Sequence, residues 1–269
     1  MPKRRAACCR VSRRKRGERA LAFLLPLASS SSGNCYYLEL GGLHILLDLG
    51  VSCRQLCAGL KTLGLTPEQL DAVFITHCHT DHTRGLAVAC KRITAPVFMT
   101  YGTAACSVLD APECFRAGDR LAIGGVRMQS FATPHDCAGS VGYVLQAGDV
   151  RLGLATDLGH VPQHVFDALD GAQTVVLESN HDPDLLRFGC YPAATKRRIL
   201  SPEGHLSNAD SAAAARTLYE RGTRRFLLAH LSRENNTPAL ALEAAHAALA
   251  GTEAAVSVAP PDLGQAVIL

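Results

Sequence analysis

The sequence predicts one α/β domain, with sheets inside and helices covering both outer faces. Three observations predict it. Apolar runs of strand length alternate with longer stretches whose Leu and Ala recur at helical spacing. Several runs are joined in pairs through Gly-Gly or Gly-Asp, as hairpins are. Nothing after residue 20 resembles an interdomain linker, so residues 21–269 read as a single domain and 1–20 as a disordered basic extension.

In chain order, "LAFLLPLA" (21–28) reads as a first buried strand. The basic residues before it and the small ones after it imitate a secretory signal, but the run is short and contains Pro26. "CYYLEL" (35–40) and "HILLDLG" (44–50) flank Gly41-Gly42 as a hairpin. "SCRQLCAGLKTLG" (52–64) opens on a capping Ser, closes on Gly, and sets Leu56, Leu60 and Leu63 on one helical face. "DAVFIT" (71–76) is a buried strand, "TRGLAVACKRI" (83–93) a helix, and "APVFMT" (95–100) the next strand. "RLAIGGVRMQSFAT" (120–133) and "VGYVLQAGDVRLGLATD" (141–157) are two more hairpins. "TVVLES" (174–179) and "RRFLLAH" (224–230) are strands, and "NADSAAAARTLYERG" (208–222) is an alanine-rich helix between them. "TPALALEAAHAALAG" (237–251) is a last helix, with Pro in its first turn and Gly past its end.

Charge and cysteine content limit the function classes. Residues 1–19 hold nine of the 27 Lys/Arg and one of the 24 Asp/Glu, leaving 18 and 23 in the body, a net of −5. The basic pI of 8.3 therefore describes the tail and carries no argument for nucleic-acid binding by the domain. Eleven cysteines, an odd number without a CxxC, fit reduced thiols in a cytoplasm better than a disulfide framework. No segment approaches the ~20 apolar residues of a membrane span.

The chemistry concentrates in "THCHTDH" (76–82), three imidazoles and a carboxylate directly after a buried strand. In an extended loop His77 and His79 point to one side, while Asp81 and His82 turn toward a second point. Imidazole and carboxylate are ligands that Zn²⁺ and similar divalent ions favour. His135 in "FATPHD", Asp157 in "GLATD" and His230 in "FLLAH" likewise end apolar runs, as side chains projected into a shared cleft would.

This pattern resembles the metallo-β-lactamase-fold hydrolases, whose Asp, HxHxDH, His, Asp, His order is met by Asp48, His77/His79/Asp81/His82, His135, Asp157 and His230. The resemblance implies a four-layer αββα sandwich of two similar halves with a dinuclear site between them. It implies that His77, His79 and His135 hold one ion, that Asp81, His82 and His230 hold the other, that Asp157 bridges them, and that Asp48 orients a ligand histidine. Zn²⁺ is the first expectation, with Mn or Fe as alternatives.

Locally, "ASSSSGN", "LLDLGVS", "ATDLG", "ESNHD", "GHLSN" and "AHLSRENN" are similar to the YycJ/WalJ subgroup, related to ribonuclease Z and other nucleic-acid phosphodiesterases. Two positions depart from that pattern: Ser30, where Gly is expected, and Cys78, where an acid is commoner. The implied function is a phosphodiesterase, an exonuclease-type nuclease on DNA or RNA, in which a metal-bridging hydroxide attacks. The alternatives are another hydrolase of this fold, acting on a small phosphodiester, thioester or lactone, and a non-catalytic regulatory module.

His-Leu-Ser occurs twice, and context separates the copies. His230 ends a strand, the position of a ligand. His205 follows Gly204 and precedes Ser207, a helix N-cap, where anions are attracted. Hydroxide attack leaves an alkoxide that needs a general acid, and the resemblance gives His205 phosphate contact or that protonation. The expected catalytic residues are thus Asp81 and His205. Asn34, Glu178, His181, Ser232, Asn235 and Asn236 are expected to support the site or the substrate, whereas His181-Asp182-Pro183 also reads as a plain helix start. His160 and His164, four apart, read as surface residues. "TKRRI" (195–199) and Arg224-Arg225 are the best basic clusters of the body, as much solvated faces as a nucleic-acid track.

Overall fold

The computed structural model describes residues 22–269; the extension expected over 1–20 lies outside the described residues. One seven-stranded sheet holds β1 (Phe23–Ala28), β2 (Cys35–Leu40), β3 (Leu43–Leu47), β4 (Ala72–Phe74), β5 (Val97–Thr100) and β6 (Glu113–Phe115). The second holds β7 (Arg120–Ile123), β8 (Val126–Ala132), β9 (Val141–Ala147), β10 (Val150–Ala155), β11 (Thr174–Glu178), β12 (Arg225–Ala229) and β13 (Ala255–Val258). A last strand, β14 (Val267–Ile268), returns to pair with β1. Each sheet is antiparallel where hairpins build it, and parallel along β3–β6 or β10–β13.

Parallel neighbours need crossovers, usually helical. In the first sheet these are α1 (Cys53–Thr62), then α2 (Thr80–Thr83) with α3 (Leu86–Ala89), then α4 (Tyr101–Ala105). In the second they are α5 (Gln163–Leu169), then α6 (Pro183–Phe188), α7 (Ala193–Ile199) and α8 (Asn208–Glu220), then α9 (Pro238–Ala248).

The pleat sorts side chains into layers. Tyr36, Leu38 and Leu40 of β2 meet Ile45, Tyr143, Leu145 and Val176 between the sheets. Cys35 and Tyr37, the alternate residues, face outward against Leu56 and Leu60 of α1. On the other outer face Val144, Val175 and Phe226 pack against Val165 and Leu169 of α5 and Ala214, Ala215 and Leu218 of α8. The central strands are thus covered on both faces, which is why β3, β11 and β12 read as continuous apolar runs, whereas β7, β8 and β13 alternate. Each fully buried Leu, Ile or Phe contributes roughly 1.5–3 kcal/mol. The layer order is αββα, as expected.

Ser52 caps α1 as its position suggests, accepting from Gln55 N at 3.2 Å in a complete capping box. The single helix expected over 83–93 is instead broken, with α2 and α3 on either side of Arg84-Gly85. The i→i−4 bond that would join them is replaced by tertiary ones: Gly85 N donates to Leu49 O at 2.9 Å, and Asp81 O accepts from Asn34 N at 2.7 Å. A Cβ on Gly85 would lie 2.1 Å from Val51 O, so only glycine fits this approach.

Candidate active site

The chemistry-bearing residues stand at the C-terminal ends of strands from both sheets. Asp48 follows β3, His77 to His82 follow β4, His135 follows β8, Asp157 follows β10, Glu178 ends β11, and His230 follows β12. Among the described residues the non-glycine residues with positive φ are Asp48 (59°), Asp157 (62°) and His230 (59°). Asp and His enter this left-handed region more readily than most residues, yet at a cost of about 1–3 kcal/mol that the surroundings must sustain. The surroundings are visible at His230, whose N–H donates to Ser29 Oγ (2.9 Å) while its carbonyl accepts from Asn180 Nδ2 (2.9 Å). The turn each residue makes aims its side chain into the cleft.

The HxHxDH loop is held by "SGN" and "DLG". Asn34 N donates to Asp81 O, Leu49 N to His82 O at 2.8 Å, and Gly50 N to Asn34 O at 2.8 Å. A Cβ on Gly50 would fall 1.6 Å from Asp81 O, which excludes every other residue there. Ser30, the departure from the subgroup pattern, is accommodated without a positive φ, and its Oγ accepts from Ser32 N.

The side chains converge in two adjoining groups. His79 Nδ1 lies 3.1 Å from both His77 Nε2 and His135 Nε2, so three ring nitrogens face one point. Asp81 Oδ2, His82 Nε2 and His230 Nε2 face a second, with Asp81 Oδ2 3.4 Å from His82 and 3.2 Å from His230. Asp157 stands between, Oδ1 3.8 Å from His135 Nε2 and 3.5 Å from His230 Nε2, Oδ2 3.3 Å from His82 Nε2. Asp157 Oδ2 is buried and makes no hydrogen bond. A buried carboxylate oxygen that faces imidazole nitrogens but makes no hydrogen bond is costly unless something else neutralises it. Together with an all-imidazole and carboxylate donor set, it fits divalent cations of the Zn²⁺ type.

Behind the converging rings stand acceptors. Asp48 Oδ2 is 2.8 Å from His82 Nδ1, and Thr76 fixes that carboxylate through its N–H (2.8 Å) and Oγ1 (3.0 Å). Gly204 O is 3.3 Å from His135 Nδ1. Glu178 Oε1 is 2.9 Å from His230 Nδ1 and also 2.7 Å from His205 Nδ1. One carboxylate therefore links the two His-Leu-Ser histidines. Burial alone would lower His230, but Asp157, Asp81 and Glu178 outweigh it and raise its pKa to about 10. Burial likewise opposes ionisation of Glu178, but the His205 and His230 rings outweigh it and hold the acid at about 2. Burial and neighbouring imidazoles push His77 well down.

His205 lies at the rim, its ring 5.2 Å from that of His135 and 5.3 Å from that of His230. Its side chain is 13% exposed, whereas that of His230 is 2% exposed, so His205 is the one solvent can reach. Ser207 caps α8, accepting from Asp210 N at 3.1 Å.

The remaining expected residues divide. Asn34 Nδ2 reaches the cluster, 3.1 Å from His82 Nε2. Ser232, Asn235 and Asn236 are buried, and their hydrogen bonds tie loops together: Ser232 N to Asn180 O, Asn235 N to Ser232 Oγ, and Asn236 Nδ2 to Ser179 O. These bonds orient the loops around the cluster. His181 is buried, while Asp182 beside it caps α6, accepting from Asp184 N and Leu185 N. His160 and His164 bond to the carbonyls of Pro202 and Ala132, apart from the cluster.

Sequence reasoning missed Thr76, the Gly204 carbonyl and Asp136. Asp136 Oδ1 is 3.5 Å from His135 Nε2 and 3.7 Å from His79 Nε2, and it pairs with Arg198 of α7. The Arg198 hydrogen bond lowers the Asp136 pKa. "TKRRI" thus puts a guanidinium at the rim, which its distance in sequence from the histidines concealed. A cleft of about 530 Å³ lined by Arg120, Arg127 and Arg151 lies near the opposite ends of β7–β10 and includes none of these site residues.

Comparison with known proteins agrees with this geometry. The beta-lactamase superfamily domain matches residues 44–231. "Exodeoxyribonuclease YycJ" of Bacillus anthracis is 35% identical over 222 residues, 80% of this chain and 84% of that one. "Exodeoxyribonuclease WalJ" of Streptococcus pneumoniae (strain D39) is 36% identical over 225 residues, 80% of this chain and 83% of that one. The crystal structure of Zn²⁺-bound PqqB from Methylobacterium extorquens superposes with a TM-score of 0.71 at 17% identity, over 92% of this chain and 100% of the other. Strand order, cleft and sequence similarity lead to one conclusion: the chain belongs to the beta-lactamase superfamily and has the metallo-β-lactamase fold.

Proposed function

We propose that the chain is a metal-dependent exodeoxyribonuclease, a phosphodiesterase using two divalent ions, zinc first and manganese or iron as alternatives. The observation that carries this reading is the convergence of two three-residue donor groups on either side of Asp157, whose buried Oδ2 has no hydrogen-bond partner. The substrate class is taken from relatives named exodeoxyribonucleases that align over most of both chains. His77, His79 and His135 would hold one ion, Asp81, His82 and His230 the other, with Asp157 shared. Ions so held supply Lewis acidity and a water that ionises near neutral pH.

The chain's own groups do the rest. Asp48, Gly204 O and Glu178 keep the Nδ1 protons of His82, His135 and His230 turned away from the cleft, leaving each Nε2 free to donate its electron pair. Asp81 and Asp157 bring negative charge to the cations. Glu178 fixes the Nδ1 proton of His205, so that its Nε2 can carry a proton to the departing oxygen. No helix among the described residues is long and apolar enough to cross a membrane. We place the enzyme in the cytoplasm, with its DNA substrate.

Turnover of bis(p-nitrophenyl) phosphate and of end-labelled DNA, with nitrocefin and a glutathione thioester inert, is the expected result. Cleavage of nitrocefin or the thioester in preference to both phosphodiesters would overturn the reading. Labelled RNA in the same assay decides between the two nucleic acids.

A pH dependence follows from His230. Its pKa is raised to about 10, so it is protonated at neutral pH without a cation, and an ion must displace that proton. Zinc uptake by chelator-stripped protein is expected to release protons at pH about 7 and to tighten as pH rises toward 10. Calorimetry in buffers of different ionisation enthalpy reads the release; uptake without it would contradict the assignment of His230.

A further inference from the structure

We propose that Cys78 and Cys137 form a reversible disulfide, closed by hydrogen peroxide, that clamps together the two loops bearing His77, His79 and His135. The two Sγ atoms are 3.0 Å apart although 59 residues separate them in sequence. A disulfide needs an S–S distance of about 2.05 Å, so an approach of about 1 Å closes the bond. The loops are already held side by side, since Val141 N donates to Thr76 O at 3.1 Å. Both thiols are only partly buried, so a molecule as small as peroxide reaches them. A third thiol, the exposed Cys106 at the end of α4, lies against Cys78.

Packing alone would explain two thiols as small apolar fillers. It does not explain sulfurs this close, each within two residues of a histidine facing the first cluster. Burial pushes the Cys78 thiol up to about 12, so the attack falls to Cys137: its sulfur takes an oxygen of hydrogen peroxide, the O–O bond breaks, and a sulfenic acid and hydroxide result. The second sulfur then displaces hydroxide from the sulfenic sulfur, forming S–S as S–O breaks. The two thiol protons leave with the two oxygens as water. Two thiols are oxidised, one peroxide is reduced to two waters, and a dithiol reverses the bond by exchange.

Cys78 is covalently joined to His77 and His79, so drawing its sulfur toward Cys137 shifts rings whose nitrogens stand 3.1 Å apart. A displacement of about 1 Å at such a site costs on the order of 100-fold in rate. The bond itself is independent of what the enzyme hydrolyses; only its effect on turnover rests on the proposed phosphodiesterase activity.

The test treats the metal-loaded chain with hydrogen peroxide, alkylates free thiols and maps peptides without reduction. A Cys78–Cys137 crosslink is expected, lost on adding dithiothreitol, retained in Cys106→Ser and absent in Cys137→Ser. Turnover of bis(p-nitrophenyl) phosphate should fall about 10- to 100-fold with peroxide and recover with dithiothreitol, while Cys137→Ser keeps its rate throughout. A map showing Cys106 bonded to either thiol, or no crosslink, overturns the site. A crosslink that leaves turnover unchanged overturns the clamp.

Discussion

His205→Ala should retain two metal ions per chain and lose about 10²- to 10⁴-fold in phosphodiesterase turnover, the range of a removed general acid. The argument rests on where the ring is held. Its Nδ1 meets Glu178 at 2.7 Å, its side chain is the more exposed of the two His-Leu-Ser histidines, and it lies against His135 and His230 without belonging to either three-residue group around Asp157. The competing assignment is specific, because His205 also falls in a group with Asp157, Glu178 and His230 whose donor atoms could hold an ion. Metal content separates the two: a drop in bound ion for His205→Ala would make it a ligand and remove it as the acid. A substrate with a better leaving group should lose less, since its departing oxygen needs less protonation.

The second large effect concerns Asp157. Asp157→Asn should fold, since Asn enters the left-handed region as readily as Asp, but should lose at least one ion and at least ~10³ in turnover, the equivalent of several kcal/mol of charge stabilisation. The substitution turns one buried carboxylate oxygen into an amide nitrogen that donates instead of ligating. Asp157→Ala would confuse this with strain, because the residue sits at φ 62°. Circular dichroism and metal analysis on the Asn variant keep the two apart. Two ions bound with unchanged turnover would show that Asp157 does not join the groups.

Much of this was legible in the sequence for a physical reason. Strands buried on both faces produce apolar runs, and a His or Asp directly after such a run, as at His77, His135, Asp157 and His230, has to serve the cleft or be wasted on a costly burial. The capped helix at Ser52 and the Gly-Gly hairpins depend on local chemistry alone, which a sequence displays. What stayed hidden depends on tertiary hydrogen bonds. The break at Gly85 follows from Leu49 O and Asn34 N competing for the helix's own bonds. Nothing in "TVVLES" shows that Glu178, at the end of β11, places one carboxylate against two histidines. The Gly204 carbonyl behind His135 has no side chain to announce it, and the Asp136–Arg198 pair joins residues 62 apart. Short elements such as β6, β14 and α4 carry too few residues for periodicity to identify them.

The most direct test of the two-ion account is a titration. Chelator-stripped protein is given increasing equivalents of Zn²⁺ or Mn²⁺, and degradation of end-labelled DNA is followed. The account predicts no degradation without metal, and activity that saturates at two equivalents and is abolished by returning the chelator. Degradation by the stripped protein, or saturation at a single equivalent, would contradict it.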